Sequence, residues 1–175
     1  CAFMADGYAR ATGKPGVALV ITGPGLTNAL TAMAQAREDS VPMLVISGVN
    51  RRASLGKGLG LLHELPDQQA MVRTLCPSRQ ITDPSQVGET LDWAFATMAT
   101  GRPGPVHIEV PTDVMPMDCE ALPAPAALPA SRVADGIERA AELLNAASSV
   151  VILAGGGARG QDAALRALVP AWRGP

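Results

Sequence analysis

Two short apolar runs limit the fold more than any other feature: residues 17–22 (VALVIT) and residues 43–47 (MLVIS). Each is rich in β-branched residues and too short for a buried helix, so each reads as a strand. Gly16 and Gly23 bound the first run, and Pro42 precedes the second. Between them a tight turn, Gly23-Pro24-Gly25, is followed by Leu26, Ala29, Leu30, Met33 and Ala34 at helical spacing. Strand, turn, helix and strand form a βαβ unit, which requires parallel pairing and a right-handed crossover. Runs that are apolar throughout, rather than alternating, predict a parallel sheet with helices on both faces.

The rest of the chain extends this α/β pattern. Residues 2–11 read as a helix stopped by Gly13 and Pro15. From Gly48 to Pro66 the chain is Gly-rich and irregular, the signature of a functional or mobile loop. Asp83, Pro84 and Gln86 carry the signals of a helix start, and Val87, Leu91, Ala94, Phe95 and Met98 mark that helix's apolar face. Residues 106–110 read as a third strand. Pro111, Pro116, Pro123, Pro125 and Pro129 then stiffen a linker. The expected division is a first domain at 1–114, a Pro-rich linker at 115–130 and the start of a second α/β domain at 131–175. In that second part Ser131 is expected to cap a helix carrying Val133, Ile137, Ala140 and Leu144. A strand at 150–153 and a helix from Asp162 to Leu168 follow.

Composition excludes several classes. Charged residues make up 17% of the 175 residues and the net charge is −2, so neither nucleic acid nor an anionic membrane is an expected partner. Cys1, Cys76 and Cys119 are widely spaced and make no metal-ligand pattern, so buried thiols in a reducing compartment are expected, with no metal site. No signal peptide or bilayer-spanning run is evident, and the expected location is cytoplasmic. The chain starts at Cys1 inside a helical pattern and stops at Pro175 as another helix forms, so a fragment of a longer protein is expected.

Three places invite a chemical reading. Residues 22–28 (TGPGLTN) follow a strand, at the end where ligands bind in open α/β sheets, and glycine allows close backbone approach. A plain turn, with Thr27 and Asn28 solvating the helix start, explains the same residues. Residues 62–67 (LHELPD) place His63 and Glu64 at the end of the Gly-rich loop, where they could do acid–base work or be solvated loop residues. Gly155, Gly156 and Gly157, with Ala158, Arg159 and Gly160, satisfy G-x-G-x-x-G after an expected strand. That motif opens a nicotinamide-dependent reading, and a structural turn explains it equally.

The order of motifs resembles a known family. Residues 2–13 (AFMADGYARATG) are similar to the AxxADGYARxTG segment of thiamine-diphosphate-dependent enzymes such as acetolactate synthase. Residues 16–28 resemble its GVxxV-TSGPGxTN stretch, and 39–42 (DSVP) its D-S-x-P. Residues 101–106 (GRPGPV) and 109–114 (EVPTDV) resemble its GRPGPV and xPxDV. The likeness runs through nearly the whole chain in order and spacing.

The resemblance implies a pyrimidine-binding domain gripping thiamine diphosphate, with Gly23, Pro24, Gly25 and Asn28 beside the cofactor. His63 stands where acetolactate synthases carry Gln, which makes it a cofactor- or substrate-facing candidate. The longer HELPDQ stretch resembles decarboxylases of 5-guanidino-2-oxopentanoate. The family's catalytic Glu, which hydrogen-bonds a pyrimidine nitrogen, is expected upstream of Cys1, so no catalytic residue is assigned within the chain. Mg2+ would be held by a further domain, and Gly155, Gly156 and Gly157 are candidate FAD contacts. The substrate implied is a 2-oxoacid, decarboxylated with or without carboligation, and the intact protein is expected to be a homodimer or homotetramer. A non-catalytic nucleotide-binding module is the alternative from another class. The 175-residue chain alone is expected to be inactive.

Overall fold

The computed structural model describes residues 1–122 and 135–171, without the side chains of the last three. Ser131, Val133, Pro123, Pro125 and Pro129 lie outside the described residues. The chain forms two compact units, Cys1–Ala130 and Ser131–Pro175.

The first unit is a four-stranded parallel sheet of order β1-β2-β4-β3. Its elements are α1 (Ala2–Thr12), β1 (Gly16–Val20), α2 (Pro24–Glu38), β2 (Met43–Val49), α3 (Gln68–Arg73), β3 (Ser78–Gln80), α4 (Val87–Ala99) and β4 (Pro105–Pro111). Helix α1 ends as expected at Gly13, whose positive φ of 70° places it in the left-handed region that glycine tolerates. Helix α4 is entered through a short 3-10 turn with a complete capping box, Asp83 with Gln86. Both starts were legible because their signals are local.

Each strand of the centre separates two cores. Met43 and Val45 of β2 face Leu26, Ala29, Met33 and Ala36 of α2, with Val72 and Cys76 and the Ala2, Ala5 and Ala9 face of α1. Leu44 of β2 with Val106 and Ile108 of β4 faces Ala94 and Met98 of α4. Leu26, Met33 and Met43 are fully buried, each contributing about 2–3 kcal/mol by area.

Helices lie on both faces of the parallel sheet, as expected, although coverage thins at its edge: Val17, Leu19 and Ile21 are 54%, 74% and 58% exposed, because α4 packs on β2 and β4. Other expectations fail. Phe95, assigned to the apolar face of α4, is exposed. Strand β3 was not foreseen, since three residues of SRQ carry no periodic signal; a helix start at Pro66 was one reading of the 62–67 segment, and α3 begins at Gln68 with Asp67 as its cap. Cys1 and Cys119 are exposed, and Cys76 is buried with its thiol pushed up to about 12 by desolvation.

The second unit contains α5 (Ile137–Ala146) and α6 (Asp162–Ala171). Residues 150–153 are not a strand, and Val151 and Leu153 are largely exposed. A strand needs a ladder partner, and no second strand is found among the described residues of this unit. Ile137, expected inside, is also exposed. Among the described residues no helix is long and apolar enough to cross a membrane.

Candidate functional site

Several residues of the recurring motifs hold the fold. Arg10 of α1 binds Asp6 at 2.7 Å and Asp39 at 2.6 Å, and Gln35 adds a bond to Asp39 at 2.8 Å. The Gln35 amide and the Arg10 guanidinium hold the Asp39 carboxyl below its usual range. This clamp ties α1 to the end of α2. Arg102 donates to the Arg37 and Glu38 carbonyls at 3.2 and 2.6 Å and to the Ser40 hydroxyl at 2.7 Å. A guanidinium on the last carbonyls of α2 satisfies orphan acceptors and opposes the negative end of the helix dipole. Asp113 receives both the backbone N–H and the Nε of Arg52, at 2.9 and 2.8 Å. The Asp113 carboxyl is held low by those bonds, backbone first.

The remaining motif residues collect at the carboxyl end of the sheet. Gly23 is the N-cap of α2, with φ 61° and ψ −113°, so Pro24 and Gly25 are the first residues of that helix rather than a separate turn. Pro24, Thr27 and Asn28 are exposed, and the Thr27 hydroxyl bonds Pro24 O at 3.2 Å. A Cβ on Gly23 would lie 2.5 Å from the His63 carbonyl oxygen, so the two backbones are in direct contact. His63 itself has φ 58°, an uncommon and strained conformation for a non-glycine residue. Its Nδ1 is buried with no hydrogen-bond partner. The structure thus brings His63 to the Gly23 turn, 40 residues away in sequence, and leaves a polar atom free there.

Glu64 does not join His63 as an acid–base pair. Its carboxylate accepts the N–H groups of Leu61 and Leu59 at 2.9 and 3.2 Å, folding the Gly-rich loop. The Leu61 bond first, and its neighbours, keep the Glu64 carboxyl below its usual range, the opposite of what a general base needs.

A buried polar layer, missed in the sequence, lies beneath the turn. The Gln68 Oε1 accepts from the Thr22 hydroxyl at 2.9 Å and from Gly23 N–H at 2.8 Å. Its Nε2 donates to Gly48 O at 2.9 Å, Glu109 Oε2 at 3.1 Å and Ser47 Oγ at 3.2 Å. Glu109 also accepts from Gln80 Nε2 at 2.7 Å. Ser47, having accepted from Gln68, can give its proton to His107 Nε2 at 2.8 Å. His107 then carries its proton on Nδ1 and donates it to Ser78 Oγ at 2.8 Å. Burial drives the His107 pKa down to about 4, which keeps the ring neutral, and pushes the Glu109 carboxyl up. The residues pair in register across the sheet, Glu109 with Ser47 on one side and Gln80 on the other, and His107 with Ser78. The signal was present: in VHIEV two polar residues alternate with three apolar ones, which marks a polar stripe on one face of a strand.

Beside this layer is a cavity of about 310 Å³ at the carboxyl ends of β2, β3 and β4. Asn50, Glu64, Asp67, Gln68, Gln80 and Glu109 are among its lining residues, and no lysine or arginine is. Gly155, Gly156 and Gly157 belong to the second unit. They form a 3-10 turn with no strand before it, and a Cβ on any of them would meet nothing within 4 Å. The strand–turn–helix context that a dinucleotide fingerprint needs is therefore lacking, which removes the basis of the nicotinamide reading.

Residues 1–71 match the model of the thiamine pyrophosphate enzyme N-terminal TPP-binding domain. The chain is 49% identical over 171 residues to a probable 2-ketoarginine decarboxylase of Pseudomonas aeruginosa, covering 95% of the chain and 31% of that protein. It is 37% identical over 165 residues to a probable acetolactate synthase large subunit of Methanocaldococcus jannaschii, covering 89% and 28%. An acetolactate synthase large subunit of Corynebacterium glutamicum is 36% identical over 170 residues, covering 91% and 26%. This chain belongs to the thiamine-diphosphate-dependent enzymes of the acetolactate synthase-like type. It spans less than a third of the length of these relatives.

The residues present fit one side of a thiamine-diphosphate site. The turn sits at the ligand-binding end of the sheet, its exposed edge is Pro24 and Asn28, and the backbone of His63, whose Nδ1 has no partner among the described residues, lies against it.

Proposed function

We propose that residues 1–114 form the pyrimidine-binding side of a thiamine-diphosphate-dependent enzyme that decarboxylates a 2-oxoacid, with 115–130 as linker and 131–175 as the start of a central domain. The observation that carries this reading is the contact between the Gly23 turn and the His63 backbone, in a residue whose Nδ1 is buried without a partner among the described residues. A protein rarely buries a polar atom unpaired, so the atom marks a place where a ligand completes the bond.

Thiamine diphosphate, when bound, supplies the electron sink for loss of CO2. The residues of this chain position it. Gly23, Pro24 and Gly25 present backbone without a bulky side chain, and Asn28 offers an exposed amide one turn along α2. His63 Nδ1 holds a hydrogen bond to the cofactor or substrate.

For the substrate, we favour 2-ketoarginine (5-guanidino-2-oxopentanoate) over pyruvate. The 49% identity to the Pseudomonas aeruginosa protein supports it. So does the cavity, whose lining carries the carboxylates of Glu64, Asp67 and Glu109, a field that attracts a guanidinium. Acetolactate formation from pyruvate is the second reading, supported by the acetolactate synthase relatives. Mg2+ accompanying the diphosphate, FAD beside Gly155, Gly156 and Gly157, a homodimer or homotetramer and a cytoplasmic location complete the proposal. FAD is tested by the flavin absorbance of the purified protein.

The test is CO2 release by the protein expressed from its complete reading frame, with each acid, with and without thiamine diphosphate and magnesium. Cofactor-dependent release is expected from both acids in unequal amounts, with 2-ketoarginine ahead. Release from neither would sink the decarboxylase reading, and release from pyruvate alone would select the acetolactate one.

A further inference from the structure

Gln68 closes the HELPDQ stretch, and its amide meets both the Gly23 turn and the sheet beneath it. We propose that Gln68 is a positioning residue for the cofactor turn: its carbonyl fixes Gly23, and Glu109 fixes which way round the amide sits. The inference rests on the reading that this turn binds thiamine diphosphate.

The geometry supports a single orientation of the amide. Oε1 must be on the turn side, because Gly23 N–H can only donate and lies 2.8 Å away. Nε2 must be on the sheet side, because Gly48 O can only accept and lies 2.9 Å away. Glu109 Oε2, at 3.1 Å from Nε2, adds an acceptor of negative or strongly polar character on the same side. A flipped amide would set oxygen against both of these acceptors, so it is excluded by repulsion. Gln68 is 4% exposed, so water cannot replace any of these partners.

The consequence falls on Gly23. Its φ of 61° and ψ of −113° belong to a region that glycine alone enters readily. Because glycine is free, something must select this conformer from the others. On one side Gly23 O accepts from Thr27 N–H at 2.9 Å, the first turn of α2. On the other side its N–H is held by Gln68, with Thr22 held by the same oxygen. Gln68 therefore links β2 and β4 to the peptide that aims Pro24 and Gly25. Besides lining the cavity, it acts by keeping the binding-competent turn populated.

The experiment uses the protein from its complete reading frame and titrates thiamine diphosphate with magnesium by calorimetry and by activity. Gln68→Met keeps the length and removes all the polar contacts. It is expected to raise the cofactor Kd about tenfold, because the turn's preorganisation is lost. Thr22→Val removes one donor and is expected to raise the Kd about threefold. Met98→Ala, in the core against α4 and away from the turn, serves as the structural comparison. It should lower the melting temperature at least as much as Gln68→Met and leave the Kd unchanged. Wild-type Kd in both Gln68→Met and Thr22→Val would overturn the proposal, as would an equal rise in Met98→Ala. If Gln68→Met does not fold, Thr22→Val decides alone. Failure of wild-type protein to bind thiamine diphosphate would instead remove the reading of the turn, and this inference with it.

Discussion

Gly23 and Gly25 stand two residues apart in one motif, yet the structure assigns them different reasons to be glycine. At Gly23 an alanine meets two penalties. Its φ of 61° with ψ of −113° is unfavourable for a side chain, at about 1–3 kcal/mol. Its Cβ would also sit 2.5 Å from the His63 carbonyl oxygen and 2.9 Å from the His63 Cβ, backbone that is itself in a strained conformer. Relieving that overlap adds about 1–3 kcal/mol. Gly23→Ala should therefore lose about 2–6 kcal/mol of stability, together with cofactor binding. At Gly25 the new Cβ would meet only Ile21 Cγ2, at 2.6 Å, and Ile21 is 58% exposed and free to turn outward. A rotamer shift of about 0.5–1.5 kcal/mol is offset by the roughly 1 kcal/mol that alanine gains over glycine in a helix. Gly25→Ala should leave stability within about 1 kcal/mol of wild type. If Gly25 is there to let the cofactor approach, the same variant should still weaken thiamine diphosphate binding at least tenfold. Urea unfolding and calorimetry on both variants separate the two effects. A Gly25→Ala protein that binds the cofactor as tightly as wild type would refute the approach argument. A Gly23→Ala protein with unchanged stability would refute the backbone contact.

Other outcomes follow from the same contacts. His63→Gln should shift substrate preference or cofactor affinity, and unchanged values for both would remove His63 from the site. His63→Gly relieves a positive φ and should gain about 1 kcal/mol in urea unfolding while weakening binding. The His107 pKa falls from 6.5 to about 4 in the folded chain, so the unfolded chain takes up the proton first as pH drops. Stability from this group is complete above pH 6.5 and declines by roughly 3 kcal/mol toward pH 4, and an imidazole NMR titration midpoint near 6.5 would contradict it. Glu109 acts with the opposite sign, since burial raises its pKa and stability falls as pH rises from its usual value toward the folded one. Arg102→Ala removes the side chain that caps the last carbonyls of α2, and should speed amide exchange at Asp39 and Val41 without affecting β4.

The βαβ unit was legible because β1, α2 and β2 announce themselves by short-range pattern, and the capping box at Asp83 did so by identity. The ends of α1 and α2 were legible for the same reason. What the pattern could not supply was depth. Val17 and Leu19 look as apolar as Leu44 and Val45, yet they face no helix, because coverage depends on where α4 crosses the sheet. Residues 150–153 have a strand's composition and no partner. At the site, glycines, Pro24, Asn28 and His63 were marked by motif position, and the structure joins His63 to the turn. Gln68 was noted only as the end of HELPDQ, and its role was invisible because its partners Thr22, Gly48 and Glu109 lie 46, 20 and 41 residues away, a convergence that no local window contains.

The most direct test of the account is where thiamine diphosphate sits. A crystal structure of the protein from its complete reading frame, grown with thiamine diphosphate and magnesium, should show the pyrimidine ring within about 4 Å of the backbone of Gly25 and of Asn28. His63 Nδ1 should then be hydrogen-bonded to cofactor or substrate. Cofactor density at another place, with the 23–28 turn in contact with solvent and His63 Nδ1 still without a partner, would contradict the central claim.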